Sequence, residues 1–271
     1  MKGIRYILMA MLTVLAAISC TKEGQDAFVE VTLDYSVTTA DQTKAYGEGD
    51  AVTHIWYALY RKSNNTFVRS FTPVPMVDGV ASCPVTLVMN QEYKLVFVGM
   101  NYEMVDGKLT PAYSIQKEHA TISMPATSVA NSEKLDCFYG IDEIQVNQKE
   151  TGTSIQLERI TSQVNLLCKE EDWKNEYATA SSGLRLSGVT KTFNLLNQGF
   201  TGKGVVVYEQ NSLLSGEALR SGTDYRLCSF YTFAAEGVNA EFSFVSGGVT
   251  ETFPVIGLPL ATNKRTNVYV K

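Results

Sequence analysis

Residues 28–37 read Phe-Val-Glu-Val-Thr-Leu-Asp-Tyr-Ser-Val, and apolar side chains alternate with polar ones along most of this stretch. In a β-strand, successive side chains point to opposite faces, so a period of two separates a buried face from an exposed one. The buried face would carry Val29, Val31, Leu33, Tyr35 and Val37. The stretch therefore predicts a strand with one side against a core and the other side toward solvent.

Shorter runs of the same kind follow along the 271-residue chain, separated by Gly, Asn, Asp and Pro residues that favour turns. They lie at residues 55–60, 67–71, 81–89, 93–98, 137–139, 144–146, 184–189, 205–208, 225–233, 240–245, 251–256 and 266–270. Short strands at near-regular spacing, with no repeated helix between them, are typical of antiparallel sandwiches. We expect an all-β protein with two antiparallel β-sandwich domains in tandem, of transthyretin-like or Greek-key type. The pattern restarts near residue 153, which predicts an N-terminal sandwich over residues 28–154 and a C-terminal sandwich over residues 155–271.

The first residues have the organisation of an export signal. Lys2 and Arg5 give a basic start, and residues 7–18 form an almost unbroken apolar run. As a helix this run would rise ~18 Å, which is too short for the ~30 Å core of a bilayer. We therefore predict a signal peptide over residues 1–19 that is removed on export.

The segment Ala17-Ile18-Ser19-Cys20 resembles a bacterial lipobox. The resemblance implies that Cys20 is lipidated and begins the mature protein, with residues 20–27 as a polar, lipidated tether. Several acyl chains on one cysteine would hold the protein stably on a membrane. We expect an outer-membrane lipoprotein displayed at the cell surface. An ordinary secretion signal with an incidental cysteine is the alternative.

Composition excludes some classes of partner. Apolar residues make up 45% of the chain and charged residues 19%, which suits a folded core and excludes a largely disordered chain. The net charge is −5, and it becomes −7 when residues 1–19 are removed together with their two basic side chains. Because binding to nucleic acid needs clustered Lys and Arg, nucleic acid is not expected as a partner.

No motif indicates a catalytic, metal or cofactor site. Beyond Cys20, the cysteines form no Cys-x-x-Cys pair, and the apolar neighbours of most of them predict buried, free thiols. They are Cys83, Cys137, Cys168 and Cys228. His54 and His119 belong to no metal-binding motif, and the chain has neither a Gly-x-Ser-x-Gly elbow nor a phosphate-binding loop. The protein is predicted not to be an enzyme and to need no cofactor, although scattered carboxylates leave a glycosidase formally open.

Several stretches, in order along the chain, resemble the fimbrillin-family lipoproteins of Bacteroidetes, which are subunits of protease-matured pili. After the lipobox and one alternating strand, Thr43-Lys44-Ala45-Tyr46 is similar to the family's Thr-Arg-Ala cleavage segment. Residues 136–140, Asp-Cys-Phe-Tyr-Gly, resemble its Asp-Ala-Phe-Tyr-Gly motif. Further similar stretches are residues 55–60, residues 93–98, residues 157–166 (Leu-Glu-Arg-Ile-Thr-Ser-Gln-Val-Asn-Leu) and residues 263–269 (Asn-Lys-Arg-Thr-Asn-Val-Tyr).

The resemblance implies a mechanism of assembly. In that family the first strand of a subunit is cut away, and an extended strand from a neighbour fills the groove by β-augmentation. Residues 28–37 would be the exchangeable strand, and Lys44-Ala45 would be the cleaved bond, with Lys44 standing where the family has arginine. A permanent first strand is the alternative.

The implied function is that of a structural or adhesive subunit of a cell-surface fimbria, or pilus. Its partners would be other fimbrial subunits through strand exchange and the outer membrane through the lipid anchor, with a host or glycan ligand as a further partner. The alternative is a surface glycan-binding lipoprotein, because exposed aromatic rings can stack on sugars. Trp173, within the charged insertion 170–177, is the candidate surface aromatic for that function.

Overall fold

A computed structural model describes residues 30–39, 51–145, 153–177 and 180–270. Within these ranges nearly all of the regular structure is β-strand, and helical turns are limited to Lys117–His119, Glu170–Asp172, Trp173–Tyr177 and Gly216–Leu219. The first thirteen strands are β1 (Glu30–Thr39), β2 (His54–Arg61), β3 (Phe67–Ser70), β4 (Val74–Pro75), β5 (Val80–Val88), β6 (Glu92–Met100), β7 (Tyr102–Val105), β8 (Lys108–Pro111), β9 (Ser114–Gln116), β10 (Thr121–Ser123), β11 (Thr127–Val129), β12 (Cys137–Gln145) and β13 (Thr153–Arg159). The others are β14 (Thr161–Cys168), β15 (Ser181–Asn194), β16 (Phe200–Ser212), β17 (Arg220–Ser221), β18 (Asp224–Phe233), β19 (Ala235–Ser246), β20 (Val249–Leu260) and β21 (Arg265–Tyr269).

The first sheet has the strand order β3-β2-β6-β12-β13-β1-β5, with β4 beside β2. It curls so that side chains of β1 and β5 pack against one face of β2 and β6, forming a cluster that we call the N-terminal core. Its buried members include Leu33, Tyr35, Val37, Ile55, Tyr57, Leu59, Cys83, Val85, Leu95 and Phe97. Six consecutive residues of β2 are buried because both of its faces are covered, which explains its continuous apolar run.

A second pair of sheets follows. One has the order β11-β16-β15-β10-β9, with β19 beside β15 and β20 beside β19, and the other has the order β17-β18-β14-β21. Between them lies a larger cluster, the shared core, which continues onto the outer face of β2 and β6. Its buried members include Trp56, Val96, Val98, Tyr113, Val164, Leu166, Leu184, Leu186, Phe230 and Phe242. The all-β sandwich class is confirmed, and the shared core joins the two halves.

Some strand pairings differ from a purely antiparallel arrangement. Within the described ranges, β1 pairs in parallel with β13, β11 with β16 and β14 with β21. The period of two is the same in both kinds of pairing, so the sequence pattern could not distinguish them. Strands β10 and β11 also pair with β15 and β16, although they precede the expected boundary in sequence. The boundary at 154/155 stays a prediction, with β13 in the first sheet and β14 in the sheet that also contains β17, β18 and β21.

Candidate strand-exchange site

Strand β1 lies between two other strands of the first sheet. It pairs with β5 in antiparallel register from Glu30, opposite Val88, to Thr38, opposite Val80. On its other side it pairs in parallel with the first five residues of β13. Among the described strands, β5 forms its ladder with β1 alone. Removing β1 would therefore open two backbone edges at once and detach β5 from the rest of the sheet.

The side chains of β1 follow the alternation that the sequence predicts. Leu33, Tyr35 and Val37 are at most 2% exposed and belong to the N-terminal core, and Val31 packs partly against it. The intervening positions from Glu30 to Ser36 are exposed. Val29, the remaining member of the expected buried face, lies outside the described residues. The strand thus fills a slot that is apolar on its inner side.

Tyr35, on the buried face of β1, makes a polar contact with another strand of the sheet. Its hydroxyl donates a hydrogen bond to Oδ2 of Asp142 at 2.9 Å, and its ring lies 5.2 Å from the ring of Phe97, centroid to centroid. Asp142 belongs to β12, on a different part of the sheet. Sequence reasoning did not single out Asp142. The sequence did contain a signal that Tyr35 has a polar partner, because a tyrosine on an apolar face needs a partner for its hydroxyl.

The lipidation at Cys20 and the cleavage between Lys44 and Ala45 stay predictions. Cys20, Lys44 and Ala45 lie outside the described residues. The segment that contains Lys44 joins Thr39, which pairs with Leu157, to Ala51, whose carbonyl accepts a hydrogen bond from Asn101 Nδ2 at 3.0 Å.

The motif residues Asp136 and Arg159 form an ion pair in the interior. Arg159 Nε and Nη2 donate to Oδ1 and Oδ2 of Asp136, both at 2.8 Å, and the Thr161 hydroxyl donates to Oδ1 at 3.0 Å. Burial raises the pKa of the Asp136 carboxyl, whereas the guanidinium and the hydroxyl favour its charged form. These hydrogen bonds tie the residue that precedes β12 to residues of β13 and β14.

The last two similar stretches also meet in space. Gln163 and Asn165 of β14 lie beside Arg265 and Asn267 of β21 in parallel register. Arg265 Nε donates to Gln163 Oε1 at 2.8 Å, and Asn165 Nδ2 donates to Asn267 Oδ1 at 3.2 Å. These polar side chains fix the register of β21, because each has its partner directly across the ladder.

Trp173 is half-buried rather than fully exposed. Its ring stacks on Tyr225 at 5.3 Å with 10° between the planes, and the Arg220 guanidinium lies 5.1 Å from the Tyr225 ring centroid. A polar surface depression of about 690 Å³ lies close by and includes Lys174 and Asp224 in its lining. The role of Trp173 in sugar binding stays a prediction.

The chemical groups of the described residues include buried thiols and no metal cluster. Cys83, Cys137, Cys168 and Cys228 are all free and buried, as the apolar neighbours of the last three predict. Within the described ranges, no three His, Cys, Asp or Glu side chains come together in a way that could hold a metal ion. None of the helices described there has the length and apolar character needed to cross a bilayer.

Residues 23–269 match a family of unknown function, DUF6562. The chain belongs to this family. No curated protein matches it. The family assignment therefore supplies no activity by itself.

Solved structures from Bacteroides share the fold of this family member. One is a proposed adhesin from Bacteroides ovatus, at 13% identity and a TM-score of 0.50, covering 89% of this chain and 87% of that one. A second is a proposed cell-adhesion protein from Bacteroides uniformis, at 13% identity and a TM-score of 0.50, covering 92% of this chain and 94% of that one. A third structure, of proposed polysaccharide-binding proteins from Bacteroides thetaiotaomicron, has 12% identity and a TM-score of 0.50, and it covers 81% of this chain and 78% of that one. At these identities the similarity establishes the fold.

Proposed function

We propose that this protein is a structural or adhesive subunit of a cell-surface fimbria, exported as a lipoprotein through Cys20 and assembled by β-strand donation, in which a strand from a neighbouring subunit replaces β1. The observation that carries the proposal is the place of β1, which is paired on both sides and buried on one face. The names of the structurally similar Bacteroides proteins, two concerned with adhesion and one with polysaccharide binding, support a surface role and offer no enzymatic precedent.

The magnitude of burial explains why a vacated slot would need a new occupant. Burying a side chain such as Leu33, Tyr35 or Val37 contributes ~1.5–3 kcal/mol, so the three together contribute roughly 5–9 kcal/mol before opposing terms. A whole domain is stable by only about 5–15 kcal/mol. A subunit without β1 would also expose unpaired backbone groups on β5 and β13. It is therefore expected to bind another strand or to lose the first sheet.

Cleavage between Lys44 and Ala45 would make exchange possible. While the chain is intact, β1 competes for its slot at the high effective concentration of a tethered ligand. Cutting the segment after β1 removes that advantage, so a strand offered by a neighbouring subunit can replace it. The tether and the cleavage segment thus have separate roles, one in anchoring the protein and the other in releasing the slot.

The test is the N-terminus of the protein in fibres isolated from the cell surface. Mass spectrometry should find Ala45 as the first residue of the assembled protein, and Lys44→Ala should prevent both cleavage and fibre formation. Lys22→Ala, which alters a lysine of the tether instead, is the matched control and should assemble normally. Assembled fibres that retain a lipidated Cys20 on every subunit would contradict the proposal.

Glycan binding is the second candidate, favoured by the half-exposed Trp173 beside a polar depression. A glycan array with the full chain and with Trp173→Ala tests it. Binding that is lost in the variant supports this function. Binding that the variant retains, or no binding by either protein, argues against it.

A further inference from the structure

The slot of β1 is chemically uneven along its length. The positions of Leu33 and Val37 face the apolar N-terminal core, and their partners across the ladder are Val85 and Ala81. The central position, that of Tyr35, lies beside Cys83 in the ladder and also reaches a carboxylate. An occupant of the slot therefore meets apolar surroundings at both ends and a hydrogen-bond acceptor in the middle.

Asp142 would lose its tyrosine partner if another side chain took the central position. The hydroxyl of Tyr35 is almost completely buried, at 1% residue exposure, and points toward Oδ2 of Asp142. A phenylalanine would keep the ring contact with Phe97 but would place an apolar edge against the carboxylate. Leaving a polar group without its partner is unfavourable, and the effect is modest here because Asp142 is only partly buried.

The direction and register of an occupant are also constrained. A strand running opposite to β1 would be parallel to β5 and antiparallel to β13, which reverses the hydrogen-bond geometry on both sides. A slip by one residue would turn Tyr35 outward and bring exposed-face residues into the core. The backbone pairing and the central hydrogen bond therefore select the same alignment.

We propose that the slot selects its donor: it accepts an extended strand from another subunit with the pattern apolar-x-Tyr-x-apolar, running in the direction of β1, and Asp142 selects the central tyrosine. This inference rests on the proposed function, since it assumes that β1 is exchangeable. It adds the chemistry of the partner strand and names Asp142 as the specificity-determining residue.

The experiment uses the full mature chain with a single-site protease sequence in place of residues 43–46, so that one cut frees β1 without removing it. Exchange is followed by the fluorescence anisotropy of a labelled synthetic peptide that carries residues 28–39. Peptides with Tyr35→Phe and with Tyr35→Leu are compared with it. A peptide with Ser36→Ala, which changes the exposed face, is the matched control.

We expect the native-sequence and Ser36→Ala peptides to bind equally. The Tyr35→Phe peptide should bind roughly five- to tenfold more weakly, which corresponds to one lost hydrogen bond. The Tyr35→Leu peptide should bind more weakly still, because it also loses the ring contact with Phe97. In an Asp142→Ala protein the difference between Tyr and Phe peptides should vanish, which isolates the pairwise contact. If the alanine variant folds poorly, an Asp142→Asn protein is used in its place. This variant keeps an oxygen acceptor and should retain part of the difference in affinity between the Tyr and Phe peptides.

The outcomes separate the two proposals. If native-sequence and Tyr35→Phe peptides exchange with equal affinity in the unaltered protein, selection by Asp142 is wrong while strand exchange stands. If no peptide enters the slot of the cut protein, strand exchange itself is overturned, and the selectivity with it.

Discussion

Arg159 and Asp136 form a bidentate ion pair at the point where the chain passes from β13 in the first sheet to β14 in the sheet that β14 forms with β17, β18 and β21. Asp136 is fully buried and Arg159 is 9% exposed. The guanidinium also lies 4.9 Å from the ring centroid of Phe138 in β12 and 5.6 Å from that of Tyr231 in β18. One side chain therefore contacts both sheets at their junction.

Arg159→Met should destabilise the protein strongly, because it leaves the Asp136 carboxylate buried without its counter-charge. Losing one partner of a buried ion pair typically costs about 3–5 kcal/mol. Urea unfolding followed by tryptophan fluorescence measures the change in the free energy of unfolding. As a control, Lys174→Met breaks the exposed pair with Glu170 and should leave the midpoint unchanged. Similar losses of unfolding free energy in the two variants would contradict the assignment of Arg159 as the stabilising counter-charge of Asp136.

Leu33→Ala should weaken the hold of β1 on the first sheet. Truncating a buried leucine costs about 2–5 kcal/mol in most cores, because a cavity is left behind. The measurement is the urea midpoint of the intact chain, with Ser36→Ala on the exposed face of the same strand as its control. An unchanged midpoint in Leu33→Ala would mean that β1 does not contribute to the stability of the sheet.

Gly140→Val should overpack the space between β12 and β13. A Cβ at Gly140 would lie 2.7 Å from Cδ2 of Leu157 and 3.0 Å from Cδ1 of Ile155. Overpacking of this kind costs roughly 1–3 kcal/mol. Gly204→Ala is the matched control, since its Cβ would meet only the flexible side chain of Lys191, which can move aside. Thermal unfolding of both variants measures the difference. A lower melting temperature for Gly140→Val alone would show that packing requires the glycine in the Asp-Cys-Phe-Tyr-Gly stretch.

Stability should fall as the pH rises above 9. Burial raises the pKa of the Cys83 and Cys228 thiols from 9.0 to about 12, so the unfolded chain loses these protons before the folded protein does. The folded state then holds more protons between pH 9 and 12, and the free energy of unfolding decreases across that window. Urea midpoints at pH 8 and pH 10 measure the effect. Cys83→Ala should make the decrease shallower, and an identical slope in that variant would contradict the assignment.

Much of the N-terminal sandwich could be predicted because its information is local. The alternation from Val31 to Val37 identifies the buried face of β1 without knowledge of any partner, and the structure confirms it. The apolar neighbours of Cys137 and Cys228 likewise predicted their burial. The exposure of Trp173 could not be predicted in the same way. Its ring is half-buried because it stacks on Tyr225, which lies some fifty residues away in sequence.

The sequence by itself determined which segments are strands and which side of β1 faces a core, because side-chain alternation is a property of neighbouring residues. Only the tertiary structure decided that β1 lies between β5 and β13, that β13 runs parallel to it, and that Tyr35 meets Asp142. Those contacts join residues far apart in the chain. Which of these contacts form depends on how whole sheet faces pack together, and the alternation of side chains along one strand does not carry that information.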